Sequence, residues 1–214
     1  MTATRRRKIP SMTLQPSDIT LGILAGGRAS RLGGIDKAWL MRDGMPQVER
    51  WRKRFATDVS NVIVSANREP ERYERIGLRA VRDRVTVDLG PLAGLDALAA
   101  ACQTPWLLTL PVDLIGVKDC LVPSLSAAAG SHGAYAVDDD GPQPLVALWS
   151  VASLREATAH AIDAGDLAVH SLQRRLRMVA VRLDGVRFGN LNTPQDLAAA
   201  GAVPGDSDGR DPTA

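Results

Sequence analysis

Trp106-Leu107-Leu108-Thr109-Leu110 leaves no polar face, and neither does Ile19-Thr20-Leu21-Gly22-Ile23-Leu24. A strand with one wet face alternates apolar and polar residues. A strand without that alternation must be covered on both sides, as in a parallel sheet sandwiched by helices. Between and after these runs lie stretches with helical patterning. Val48, Trp51 and Phe55 fall on one face, and GPLAGLDALAAACQ from Gly90 combines helix formers with an apolar surface. Short apolar runs alternating with helices dictate an α/β domain.

The same reading places further strands at 61–65, 78–81, 132–137, 145–150 and 178–183. Helices are expected at 46–56, from Pro70, at 151–164, at 168–176 and from Thr193-Pro194. The result is a single three-layer Rossmann-like domain with a mostly parallel sheet, spanning 19–201. Residues 1–18, with Arg5-Arg6-Arg7-Lys8 and two prolines, read as a disordered basic arm, and 202–214 as a disordered tail. A chain of 214 residues suits one such domain.

Several function classes drop out. A net charge of +2 gives no general attraction to nucleic acid. No apolar run approaches the ~18 residues of a membrane span, and no apolar segment follows the N-terminal arginines as an export signal needs. Cys102 and Cys120 form no C-x-x-C pair and read as reduced, buried thiols, which suits a cytoplasmic protein. His132, His160 and His170 are too scattered to suggest a zinc site or a serine-type triad.

In parallel α/β sheets, ligands bind beyond the carboxyl ends of the strands. Two loops there are distinctive. The first, LAGGRASRLGGIDKA after the 19–24 run, gathers Gly26, Gly27, Gly33 and Gly34 with Arg28, Arg31 and Lys37. Glycines let backbone N–H groups turn inward around an anion, and arginine and lysine add charge-assisted contacts. The spacing is neither a Walker A loop nor G-x-G-x-x-G. A surface loop with solvated charges is the alternative. The second is Pro111-Val112-Asp113, where a lone carboxylate follows an apolar strand. It suits Mg²⁺, which commonly takes one or two carboxylates plus substrate phosphates; capping a nearby helix is the alternative. Asp88 has the same two readings.

LAGGRASRLGGIDKA, SANR from Ser65, GPLAG from Gly90, PVD ending at Asp113 and NLNTPQDL from Asn190 occur in this order. Together they resemble the molybdenum cofactor guanylyltransferases of the nucleotide-diphospho-sugar transferase superfamily. The resemblance runs from about Ile19 to Leu197. It implies transfer of GMP from GTP to the terminal phosphate of molybdopterin, releasing pyrophosphate and forming the guanine dinucleotide cofactor. It implies that Leu24, Ala25, Gly26 and Gly27 line the nucleotide, with Ser65 at a nucleotide-contacting position and Asp83 near the nucleoside. Arg31 and Lys37 would hold the triphosphate, Gly34 would permit its approach, and Asp113 would bind Mg²⁺. Asn190 and Asn192 match positions on the molybdopterin side. A transient molybdoenzyme or cofactor-delivery partner is also implied.

The chain departs from the family pattern at four places. Asp113-Leu114-Ile115 stands where D-T-P is usual, Ser65 where Asn is common, Gln143 where His is expected, and GDLAVHSL lacks an arginine. These departures motivate two other readings: transfer from CTP or to a sugar phosphate, and a non-catalytic nucleotide-binding adaptor. Asp138-Asp139-Asp140 before Gly141-Pro142 reads as a solvated hairpin turn, and Thr193 as a helix cap.

Overall fold

The computed structural model describes residues 14–26, 35–85 and 89–205. A 3-10 turn at Pro16–Asp18 leads into β1 (Ile19–Leu24). A second such turn, Lys37–Trp39, precedes the short pair β2 (Met41–Arg42) and β3 (Met45–Pro46), then α1 (Gln47–Arg54). There follow β4 (Asn61–Ser65), α2 (Pro70–Arg75), β5 (Arg79–Val81), α3 (Pro91–Ala101) and β6 (Trp106–Pro111). The chain continues through β7 (Leu114–Ile115), α4 (Leu121–Ala128), β8 (Gly133–Asp138) and β9 (Gly141–Ser150). It closes with α5 (Val151–Ala164), α6 (Val169–Leu176), β10 (Val179–Arg182), β11 (Gly189–Asn190), α7 (Pro194–Ala199) and β12 (Ala202–Val203).

The main sheet has the order β10-β8-β9-β6-β1-β4-β5. Its β6-β1-β4-β5 half is parallel, as is the β10-β8 edge, while β9 runs antiparallel to both neighbours. Burial explains why β1 and β6 lack alternation. Ile19, Leu21 and Ile23 face one apolar cluster together with Trp106, Leu108 and Leu110, under Trp51 and Phe55 from the α1 region and Leu125 of α4. Leu107 faces the opposite cluster under Leu92, Leu95 and Leu98 of α3 and Leu154 of α5. Helices therefore cover both faces of the sheet, giving three layers.

Three expectations need correction. The hairpin is tighter than expected: β9 starts at Gly141 rather than Leu145, and the register shifts between Tyr135 and Ala136. Asp138 is not a solvated turn residue but is fully buried. Cys120 is exposed, although Cys102 is buried and both are free thiols. Regular structure also extends past both expected boundaries. The Pro16–Asp18 turn lies within the expected arm, and Ala202–Val203 pairs antiparallel with β2 at the start of the expected tail. Residues 1–13 and 206–214 lie outside the described residues. Among those described, no helix is long and apolar enough to cross a membrane.

Candidate active site

Register sets the site. Leu24 is opposite Ser65 on β4 and Pro111 on β6, so three parallel strands end level. Ala25 N donates to Ser65 O at 3.0 Å, and Val112 N donates to Leu24 O at 3.0 Å, which stitches the loops together just beyond the strand ends. They form an open cleft of about 860 Å³. Leu24, Ala25, Gly26, Lys37, Ser65, Asp83 and Asp113, all expected at a nucleotide site, line it. Gly27, Arg31 and Gly34, with Arg28, Gly33 and Asp88, lie outside the described residues.

Lys37 and Asp113 meet across this cleft. Lys37 Nζ donates to Asp113 Oδ2 at 2.6 Å and to Asn192 Oδ1 at 2.6 Å. The Lys37 and Asp113 side chains keep 19% and 17% of their exposure, enough to face the cleft without being freely solvated. The lysine is aimed from its own backbone outward. Asp36 caps the turn that carries it, accepting from Ala38 N at 3.0 Å, and burial pushes the Asp36 carboxyl above the ordinary range. Trp39, two residues on, is buried against Tyr73, with the Arg72 guanidinium 4.0 Å over its ring.

Asp113 is held through its backbone. Trp51 Nε1 donates to Val112 O at 3.1 Å, Leu191 N to Asp113 O at 2.9 Å, and Gln47 Nε2 to Leu114 O at 3.0 Å. Three successive carbonyls are thus satisfied, two of them by residues four apart on α1, which lie on one helix face. Where the family usually has D-T-P, the chain forms β7 and pairs it antiparallel with β11, Leu114 opposite Asn190. Asn190 is exposed and does not line the cleft. Asn192 reaches it only through Lys37.

GPLAG also has a local explanation. Gly90 adopts φ 57°, which favours glycine, and precedes Pro91 at the first turn of α3. At Gly94 an added Cβ would lie 2.8 Å from both Leu24 Cδ2 and Ser65 Oγ, so only glycine lets α3 approach the cleft floor this closely. Gly26 differs: its φ is not positive, and among the described residues a Cβ there would meet only Ser65 Oγ at 4.0 Å. Its backbone makes no left-handed turn.

Residues 21–180 match the MobA-like NTP transferase domain. The chain belongs to this family. It is 34% identical over 186 residues to the molybdenum cofactor guanylyltransferase of Yersinia pestis (strain Pestoides F), covering 86% of this chain and 94% of that protein. Molybdopterin-guanine dinucleotide biosynthesis protein A from Archaeoglobus fulgidus superposes with a TM-score of 0.59 at 19% identity, over 85% of this chain and 96% of that one. The inositol-1-phosphate CTP transferase from T. maritima superposes with a TM-score of 0.63 at 14% identity, over 86% of this chain and 93% of that one. The fold is that of the nucleotide-diphospho-sugar transferases.

Within this nucleotidyltransferase family frame, the chain carries cleft residues that its motifs did not single out. Arg68 and Arg82 bring positive charge to the wall beside Asp83, and Asp36 sits at the base of Lys37. Arg68 is visible in SANR as a charge directly after a strand-end segment. Gln47 and Trp51 carry a weaker signal, a polar and an aromatic residue spaced i, i+4 on a helix otherwise rich in charge. Asn67 and Asp83 bind each other reciprocally, Asn67 Nδ2 to Asp83 Oδ2 at 2.7 Å and Asp83 N to Asn67 Oδ1 at 3.0 Å. Each end of the Asn67 amide therefore spends one of its two hydrogen-bonding positions on Asp83, which orients the amide in the cleft wall.

Proposed function

We propose that this protein transfers GMP from GTP to the terminal phosphate of molybdopterin in molybdenum cofactor, releasing pyrophosphate and forming the guanine dinucleotide. The observation that carries this reading is the Lys37–Asp113 pair, drawn from separate loops to the rim of a nucleotide-sized cleft. Similarity to the Yersinia guanylyltransferase supports the choice of substrates.

In the transfer, an oxygen of the acceptor phosphate bonds to the α-phosphorus of GTP as the bond to the bridging oxygen of the β-phosphate breaks. Pyrophosphate carries away the electron pair. The nucleophile is already anionic, so the chain needs no strong general base. Its work is positioning and charge neutralisation. Lys37 faces the triphosphate with a fixed charge, and its position lets it stabilise the leaving pyrophosphate. Arg31 and the glycines 27 and 34 are assigned to the same triphosphate by their place in the motif. Leu24, Ala25 and Gly26 present backbone to the nucleotide, with Ser65 and Asp83 on the adjoining wall. Asn190 is assigned to the acceptor side.

The donor set fits Mg²⁺. Among the described residues no group of three or more His, Cys, Asp or Glu side chains is placed to hold a metal by itself. Asp113 uses Oδ2 for Lys37 and retains Oδ1, so it offers one carboxylate oxygen beside the space for the phosphates. That matches a site completed by the nucleotide. When bound there, Mg²⁺ would neutralise charge developing on the phosphate oxygens.

A cytoplasmic location and handover of product to a molybdoenzyme or delivery protein belong to the same reading. Purified protein should release pyrophosphate when given molybdenum cofactor, Mg²⁺ and GTP, and should do so far more slowly with ATP, UTP or CTP. Preference for CTP would retain the mechanism and overturn the base assignment, an outcome that Ser65, standing where the family commonly has Asn, makes worth measuring. Nucleotide binding without pyrophosphate release would favour the adaptor reading.

A further inference from the structure

We propose that Asn192 is a positioning residue for the triphosphate lysine, acting on nucleotide binding through Lys37 in addition to any role towards the acceptor. The inference rests on the triphosphate assignment made above for Lys37.

A lysine ammonium has three N–H donors and no acceptor. In this protein two are directed, one to Asp113 Oδ2 and one to Asn192 Oδ1, each at 2.6 Å. Two fixed bonds on a tetrahedral nitrogen fix the direction of the third, and Lys37 lines the cleft. The side chain would otherwise carry considerable rotamer freedom, all of which binding would have to quench. Asn192 removes that freedom beforehand.

The amide suits this task better than a carboxylate. Asp113 already sets one negative charge against Lys37. A second would cancel the positive charge that a triphosphate requires, whereas a neutral oxygen orients the ammonium without neutralising it. It also continues to hold Lys37 if Asp113 turns towards a cation. Asn192 is itself anchored. Its backbone N and that of Thr193 donate to Asp196 Oδ2 at 3.1 and 2.8 Å, while Thr193 Oγ1 accepts from Asp196 N at 3.1 Å to close the cap of α7. The adjoining Leu191 N is bonded to Asp113 O, so the two acceptors of Lys37 are tied to each other by the main chain. Asn192 Nδ2 donates no hydrogen bond among the described residues, which leaves it compatible with an acceptor contact.

The test is equilibrium binding with no acceptor present. Wild type, Asn192→Ala, Lys37→Ala and the double variant are titrated by calorimetry with Mg²⁺·GTP and, separately, with inorganic tripolyphosphate. Losing the bond that orients a charged donor should weaken both ligands by about 10-fold in Asn192→Ala. In the Lys37→Ala background the same substitution should change affinity by less than about 2-fold, because the group it acts through is gone. Asn192→Leu, of similar volume but without an acceptor, should match Asn192→Ala and separates this effect from a packing defect. Wild-type affinity in both Asn192 variants overturns the proposal, as do losses that multiply in the double variant. Tripolyphosphate binding without GTP binding by the wild type would refute the guanine reading while the cycle is still scored on tripolyphosphate. A wild type that binds neither overturns both.

Discussion

Asp138→Asn tests whether one buried carboxylate secures the segment leading to the site. Asp138 Oδ1 accepts from Asp140 N, Gly141 N and Gln143 Nε2 at 3.0, 3.1 and 3.1 Å, and Oδ2 accepts from Phe188 N at 2.8 Å. The first three close the β8–β9 turn. The last reaches 50 residues along the chain and fixes the approach to β11. An amide has one acceptor oxygen. If it stays with the turn, its NH₂ faces the buried Phe188 N–H, donor against donor. Losing a bond to a charged acceptor costs about 1.5–3 kcal/mol, and leaving a buried donor unpaired costs about 1–3 kcal/mol. The expected loss is about 3–5 kcal/mol, a large part of the ~5–15 kcal/mol that stabilises a typical domain. Urea unfolding at neutral pH should show a lower midpoint at unchanged slope.

The pH dependence adds a second signature. Burial pushes the Asp138 carboxyl up, but its hydrogen bonds outweigh burial and hold it below its ordinary value of 3.8. A carboxyl depressed in the native state stabilises fully above the unfolded value and loses that contribution as pH falls through the native one. The stability gap between wild type and Asp138→Asn should therefore be widest near neutrality and shrink below pH 3.8. A gap under about 1 kcal/mol at neutral pH, or one that stays constant into acid, would refute this reasoning.

Other perturbations separate the parts of the site. Lys37→Ala and Asp113→Ala should each lower turnover by about 10²-fold or more, with melting temperatures near wild type. Gly94→Ala gains up to ~1 kcal/mol of helix propensity but sets a methyl 2.8 Å from Leu24 Cδ2 and Ser65 Oγ. Stability should change little while nucleotide affinity falls in a binding titration, because the cleft floor must move. Trp51→Phe removes the donor to Val112 O and should cost about 1–3 kcal/mol in urea unfolding. Steady-state assays should show that variant losing kcat as well, because the Asp113 loop is released.

The fold was legible where one physical demand dominated. The non-alternating runs at Ile19–Leu24 and Trp106–Leu110 required cover on both faces, and both lie inside the sheet. Thr193 and Pro194 carried the start of α7 in their own chemistry. The β8–β9 turn was misread because three consecutive aspartates and a Gly-Pro pair look solvated locally. Asp138 is buried and also accepts from Phe188 N, a partner no local pattern reveals. The short ladders β2–β12 and β7–β11 were missed for the same reason: two-residue strands have no periodicity to detect. In the cleft, Lys37, Ser65 and Asp113 lie in motifs, while Asp83 followed only from the family resemblance; the level ends of β1, β4 and β6 bring such loops together. The restraint of Asp113 by Gln47 and Trp51, and of Lys37 by Asn192, depends on contacts between distant segments.

The most direct measurement is the fate of the α-phosphate. Protein, Mg²⁺ and molybdenum cofactor are incubated with GTP labelled at that phosphorus, and the products are separated by chromatography. The label should move into a pterin guanine dinucleotide, with one pyrophosphate released for each label transferred, and Lys37→Ala should suppress both. Label remaining in GTP, or appearing only in free GMP, from folded wild-type protein with active cofactor would contradict the account.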